Sequence, residues 1–402
     1  MRRVVITGIG ALTAAGSGHR ALWDRATATD PPPAVPAEPL PAPPGLPGTG
    51  PARVARLGPT EAEEHLGRRG LRTLSTESKA FAVAAVTAAR HAGLAGRWDT
   101  DPSVGVAAGT TSGGLDDYAE LFAARLEGGV RKVNPAQGPQ TGLNAPAAAA
   151  SILLGAAGPH LTLSSGRAAA LDALAESVRA VRLGRAELML AGGVQTLGYA
   201  ELRARRTADP SYGTTEAGRP FDRDRSGAVP GEAAAALAVE DAGAAARRGT
   251  VALAEVLGTG AAFGGESPAR RAAEAALAEA GREPGELDAV LVSACGDGPL
   301  DAAEAEAVAA LRPDGVPVCA VLGGLGDSAG AAGAVQAAVA VRALGAGLLP
   351  GTSGFRTPDP ALPALDVRPT AVRRTLRRLL VLSTDPHGCA TALLLGAPGG
   401  HP

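Results

Sequence analysis

Cysteine is scarce in this chain: three residues in 402, at positions 295, 319 and 389. They are too few and too scattered for a disulfide framework, and they match no zinc spacing. An excess of one charge is missing too. The 38 basic and 40 acidic residues leave a net charge of −2, which argues against a nucleic-acid binder that relies on a basic field. No unbroken apolar run reaches the ~18 residues that a bilayer span needs, so no membrane segment is expected. The opening Met1-Arg2-Arg3-Val4-Val5-Ile6-Thr7-Gly8 turns to glycine too early for a secretory hydrophobic region, and a cytoplasmic protein is expected. Aromatic residues make up only 2% of the chain, ten in all, so each is informative. Lysine occurs twice against 36 arginines; with the abundant alanine, this bias reads as the mark of a GC-rich genome.

What is present suits a folded globular protein. Apolar residues are 46% and charged residues 19% of the chain, and the length allows one large domain or two to three ordinary ones with ample core. Val4-Val5-Ile6-Thr7 reads as a short buried strand entering Gly8-Ile9-Gly10. Position 13 is Thr13, not the third glycine of a dinucleotide fingerprint, so that reading is rejected. Residues 31–59 hold eleven prolines and read as a surface loop. The spacing predicts helices near 76–93, 115–122, 268–281, 301–311 and 328–344. Strands are expected at 104–109, 161–164, 187–191, 234–239, 251–257, 288–294, 316–321, 379–382 and 392–395. Continuous apolar strands alternating with helices imply sheets covered on both faces. Each half carries a strand, a glycine-rich turn and an alanine-rich helix (163–181 and 319–344), so one fold is used twice. The halves are expected at 1–245 and 246–402. Gly258-Thr259-Gly260 is read as a turn without the context of a phosphate loop.

Several segments, in order, resemble the β-ketoacyl synthase family and its thiolase fold. They are Arg3-Val4-Val5-Ile6-Thr7-Gly8-Ile9-Gly10, Gly158-Pro159 leading into 161–174, Arg219-Pro220-Phe221-Asp222 through Gly231-Glu232, and Gly330-Ala331-Ala332-Gly333-Ala334-Val335. The resemblance implies a five-layer α-β-α-β-α fold of two pseudo-duplicated halves, with the two alanine-rich helices between the sheets. It also implies a decarboxylative condensation, which needs a cysteine thiolate at a helix N-terminus, two histidines and a lysine. Carried onto this chain, the nucleophile position falls on Arg167, the first histidine on Cys295, the lysine on Leu322 and the second histidine on Asp327. The gate loop falls on 383–389, with Pro386 in place of an aromatic and His387 beside it. Arginine cannot serve as a nucleophile.

With all four positions replaced, the chain is similar to the family's chain length factor, or ketosynthase beta subunit, of type II polyketide synthases. That implies a heterodimer with a catalytic ketosynthase alpha, paired around Asn134–Asn144 and 161–164. An acyl carrier protein would supply the phosphopantetheine and dock mainly on the partner. No metal or cofactor of the chain's own is implied. Leu115, Tyr118 and Phe122 share one helix face, and the resemblance implies that they wall the chain tunnel; ordinary core packing is the alternative. Arg167 and Asp327 are expected to form a buried ion pair, because an unpaired guanidinium there is costly. Alternatively Arg167 reaches water and Asp327 caps the helix near Ser328. Two arginine clusters (Arg68, Arg69, Arg72 and Arg373, Arg374, Arg377, Arg378) are read as solvated faces, with carrier-protein docking as the sharper alternative. Two rival functions stay open: a diverged acyltransferase or decarboxylase using Ser165, Cys295 or His387, and a structural homodimer.

Overall fold

The computed structural model describes residues 2–28, 38–40, 42 and 47–399. The proline-rich loop therefore lies partly outside the described residues. Its described part includes a two-residue antiparallel ladder, Glu38–Pro39 against Pro51–Ala52, where no element was expected.

In the N-terminal half, β1 (Val4–Thr13) leads through α1 (His19–Ala26) to α2 (Thr76–His91), β2 (Val104–Gly109), α3 (Leu115–Gly128) and α4 (Ala145–Leu154). Then come β3 (His160–Leu163), α5 (Ala169–Arg182), β4 (Leu188–Gln195), α6 (Tyr199–Ala208) and β5 (Ala233–Asp241). The C-terminal half runs β6 (Ala254–Phe263), α7 (Pro268–Ala280), β7 (Ala289–Leu291), α8 (Gly298–Leu311), β8 (Pro317–Cys319), α9 (Ala332–Ala346), β9 (Arg378–Thr384) and β10 (Cys389–Gly396). The strand order β1-β5-β4-β2-β3 in the first half recurs as β6-β10-β9-β7-β8 in the second. The directions recur as well. β2 is parallel to β3 and β4, as β7 is to β8 and β9, while the remaining neighbours are antiparallel. The halves meet where β1 pairs with β6 through Val5–Glu255 and Ile6–Ala254.

The duplication extends to the glycines. A Cβ at Gly8 or Gly10 would lie 2.0 Å from the carbonyl oxygen of Ala88 or Ala84 on α2. At Gly258 and Gly260 it would lie 2.1 Å from those of Ala276 and Ala272 on α7. Glycine is what lets each helix backbone rest directly on its strand. Gly258-Thr259-Gly260 is therefore strand, not turn, and β1 continues through Gly8 and Gly10 instead of ending at Thr7.

Five layers result. One apolar cluster joins α2 and α4 to the outer face of the first sheet, with Phe81, Leu154 and Leu190 fully buried. A central cluster sandwiches α5 and α9 between the sheets through Leu171, Leu174, Val335 and Val339. A third covers the far face of the second sheet with α7 and α8. Each fully buried leucine or phenylalanine contributes roughly 1.5–3 kcal/mol. Residues Ala329–Ala346 are long and apolar enough to cross a bilayer, but 83% of that stretch is buried inside the fold. Its hydrophobicity serves the central layer.

Candidate functional site

The N-terminal ends of α5 and α9 meet between the sheets, and the turns that precede them carry Arg167 and Asp327. Arg167 sits in the 3-10 turn Gly166–Ala168 ahead of α5. Gly166 has φ +63°, and a Cβ there would fall 2.0 Å from Asp385 Oδ2, so only glycine fits the turn. The end of β9 clamps the Arg167 backbone. Arg167 N donates to Asp385 Oδ2 at 3.0 Å, and Ser383 Oγ donates to the Arg167 carbonyl at 2.8 Å. Asp327 lies in the loop before α9, its N donating to Val229 O at 2.7 Å and its carbonyl accepting from Gly231 N at 2.8 Å. The Arg219–Glu232 signature thus positions the aspartate.

Arg167 Nη1 and Nη2 reach Asp327 Oδ1 and Oδ2 at 2.5 and 2.6 Å, a bidentate pair. The side chains are 6% and 0% exposed, so the guanidinium does not reach water. Asp327 Oδ1 also accepts from Ala329 N at 3.1 Å, a local turn that fixes the carboxylate. The buried pair forms, and the alternative in which Arg167 reaches water and Asp327 caps the following helix does not; Ser328 stands at the cap position. Burial, the largest single influence, would lower the basicity of Arg167, but Asp327 together with Cys295, Tyr212 and Asp297 outweighs it, and the group is held well above its ordinary value. The fixed cation opposes the dipoles of the helices it faces, and the aspartate offsets it locally.

Cys295 Sγ lies 3.7 Å from Arg167 Nη1. Burial drives its thiol well above the usual range despite the nearby guanidinium, so it stays protonated and a poor nucleophile. Leu322 is 1% exposed and belongs to the central apolar cluster. Ser165 Oγ donates to Asp172, which also accepts from Thr391 Oγ1. Among the described residues, no hydrogen bond joins Ser165 or Cys295 to an imidazole. His387 is bound instead to Asp385, its Nδ1 2.9 Å from Oδ1, with its ring 91% exposed. Pro386 is exposed beside it in the turn between β9 and β10.

Leu115, Tyr118 and Phe122 share a face of α3; in the single chain Leu115 is half-buried, while the two rings stand clear of the core. Tyr118 is 59% and Phe122 48% exposed, and their rings stack at 6.4 Å. Leu126, 64% exposed, extends the stripe. The helix is held from its other side, where Asp116 accepts from Gly198 N and Ala200 N at 3.0 and 2.6 Å. β3 forms an edge of the large sheet. In the arginine clusters, Arg68 pairs with Glu63 and Arg378 with Glu286.

Sequence reasoning missed Tyr212 and Arg205, which interact electrostatically with Arg167 and Asp327. Arg205 on α6 donates to Glu201 Oε1 at 2.6 Å and lies 5.4 Å from the centre of the Tyr212 ring. Its i, i+4 spacing to Glu201 was the available signal. Also missed were two buried carboxyls, Glu77 on α2 and Glu304 on α8, each pushed up to about 7 by burial. Glu77 accepts from Thr110 Oγ1 at 3.0 Å. Glu304 Oε1 accepts from Ser293 Oγ at 2.5 Å, while Oε2 has no partner among the described residues. Among those residues, no cluster of three or more histidines, cysteines or acids could hold a metal ion.

The duplicated five-layer fold, with two helix N-termini converging on one buried position, defines a thiolase-like ketosynthase housing. The chain belongs to the β-ketoacyl synthase family: the "Beta-ketoacyl synthase, N-terminal domain" profile matches residues 1–245 and the corresponding C-terminal domain residues 253–356. Nodulation protein E of Rhizobium leguminosarum bv. trifolii is 32% identical over 388 residues, covering 92% of this chain and 93% of that protein. A chain of the solved ishigamide ketosynthase/chain length factor superposes with a TM-score of 0.90 at 26% identity, over 99% of this chain and 100% of that one. A chain from a ketosynthase in complex with its chain length factor, from Xenorhabdus doucetiae, has a TM-score of 0.80 at 20% identity, over 98% of both chains; it shows the fold alone.

Proposed function

We propose that this chain is a non-catalytic chain length factor, pairing with a catalytic ketosynthase alpha subunit in the cytoplasm and shaping the tunnel for a growing polyketide or polyene. One observation carries the reading: a buried Arg167–Asp327 ion pair fills the position where the family's chemistry needs a thiolate and an imidazole. The housing is intact around it. The likeness to a chain of the ishigamide ketosynthase/chain length factor supports the same reading. So does the exposed Tyr118–Phe122–Leu126 stripe, an apolar face that a partner would cover.

In this reading the chain contributes shape. α3 presents two stacked rings to the tunnel, and the edge strand β3 with residues 134–144 meets the partner. The carrier protein docks mainly on the alpha subunit and brings the phosphopantetheine arm, so the chain needs no cofactor of its own.

The test is co-expression with an intact ketosynthase that retains Cys, His and His. Stable co-purification, with product formed only by the pair, is expected. Robust consumption of malonyl-carrier protein by the purified chain alone would overturn the proposal in favour of a diverged decarboxylase or acyltransferase. A stable homodimer indifferent to the ketosynthase would favour a structural role.

A further inference from the structure

At the far end of α9, roughly 15 Å along the helix from Ala332 at 1.5 Å per residue, a separate pocket opens between the two halves. Its volume is ≈ 230 Å³, and Ile9, Leu253, Val341, Gly345, His91 and Arg342 line it. The lining holds a guanidinium and an imidazole and no acid. His19 of α1 stacks on His91 of α2, ring centres 4.0 Å apart and planes 5° from parallel. Arg342 lies 5.5 Å from the centre of the Trp23 ring, which fixes its stem against α1.

The polar atoms here are under-used. His91 Nδ1 lies 3.1 Å from Ile9 N and 3.3 Å from Ile9 O, so the Ile9 backbone occupies that side of the ring. His19 Nδ1 and Arg342 Nε are buried and have no hydrogen-bond partner among the described residues. Buried donors and acceptors in native proteins are nearly always satisfied, so the orphaned Arg342 Nε of the lining, with a second orphan on the His19 ring stacked against the lining His91, calls for a ligand or ordered water. The charged groups acting on both rings are Arg342 and Arg20, each a cation. Both rings sit below the usual imidazole range, mainly through burial, His19 at about 4. A negative charge is the missing complement.

We propose that this pocket binds a small anion, a carboxylate or a phosphate group, between the stacked imidazoles and the Arg342 guanidinium. The volume falls below the ~300 Å³ at which drug-sized pockets begin, so the ligand is a compact group of a few heavy atoms. Its arrival raises the proton affinity of both rings, and binding therefore strengthens as pH falls. The site draws on α1, α2 and β1 from the first half and on Leu253 and α9 from the second.

The experiment titrates the full chain with sodium phosphate and, separately, sodium malonate at constant ionic strength, at pH 6 and pH 8. Calorimetry and the Cε1–H resonances of His19 and His91 are the readouts. Saturable binding is expected, several-fold tighter at pH 6, with both resonances moving. Saturation by phosphate alone assigns a phosphate ligand, by malonate alone a carboxylate, and by both a site that reads charge and size; each supports the proposal. Arg342→Gln weakens binding at least tenfold. His19→Phe, which keeps the stacked ring and removes its nitrogens, removes the pH dependence contributed by that ring. If neither anion saturates the wild-type chain, or if both variants bind as it does, the proposal fails and water alone satisfies the orphans.

Discussion

Replacing Asp327 with alanine removes the acceptor of both Arg167 N–H groups and of the Ala329 N–H. Arg167 cannot respond by losing its proton, and its side chain, 6% exposed, cannot reach water without opening the central layer. Breaking such a buried pair from one side costs about 3–5 kcal/mol. For 402 residues, an unfolding entropy near 2.1 cal/mol/K per residue amounts to ~0.8 kcal/mol/K, so the melting temperature should fall by about 4–6 °C. The double variant Arg167→Met with Asp327→Leu removes charge and counter-charge together. It should be near neutral or up to ~4 kcal/mol more stable than the wild type. Thermal and urea unfolding of the wild type, Arg167→Met, Asp327→Leu and the double variant give a cycle whose coupling term isolates the pair. Costs below about 1 kcal/mol for both single variants, or strictly additive effects, would refute the pair as the feature that closes this site.

Restoring the cysteine alone, as Arg167→Cys, should yield no condensation in a malonyl-carrier-protein assay, because Cys295, Leu322 and Asp327 supply neither imidazole nor lysine; measurable turnover contradicts the degenerate-site reading. Glu304 bears on pH. Its carboxyl is raised from the usual carboxylate value to about 7, so the folded state binds the extra proton and stability falls as pH rises from about 4.5 through 7, at up to ~1.4 kcal/mol per unit. Glu304→Gln should flatten that part of the stability profile relative to wild type, and identical slopes in denaturant midpoints from pH 5 to 8 would exclude the effect. Tyr118→Ala and Phe122→Ala, at exposed positions, should change the stability of the isolated chain by no more than about 0.5 kcal/mol while weakening co-purification with a ketosynthase or lengthening its product. Unchanged pairing and unchanged product length would remove the gating role.

The strands were legible because they are continuous apolar runs, and the duplication because both halves place an alanine-rich helix after a glycine turn. The Arg167–Asp327 pair was legible only through the family resemblance, which set Asp327 opposite the start of α5; charge then said that a buried cation there needs an anion. Other features hid in the composition. α4 and α6 are rich in alanine and arginine, which looked like genome bias, and Gly258-Thr259-Gly260 looked like a turn until α7 was seen lying on it. Helical spacing placed Tyr118 and Phe122 together without saying whether anything covers them. Glu77 and Glu304 could not be recognised at all, because what buries them arrives from distant segments such as Thr110 and Ser293.

The two-sided salt link also constrains descent. Its members come from opposite halves of the duplicated fold, 160 positions apart, so no single nucleotide change can undo it without stranding a charge in the interior. In the proposed reading, regaining a thiol at position 167 therefore meets a stability barrier unless Asp327 changes as well. The pair would work as a ratchet, holding the site closed while surface loops remain free to vary.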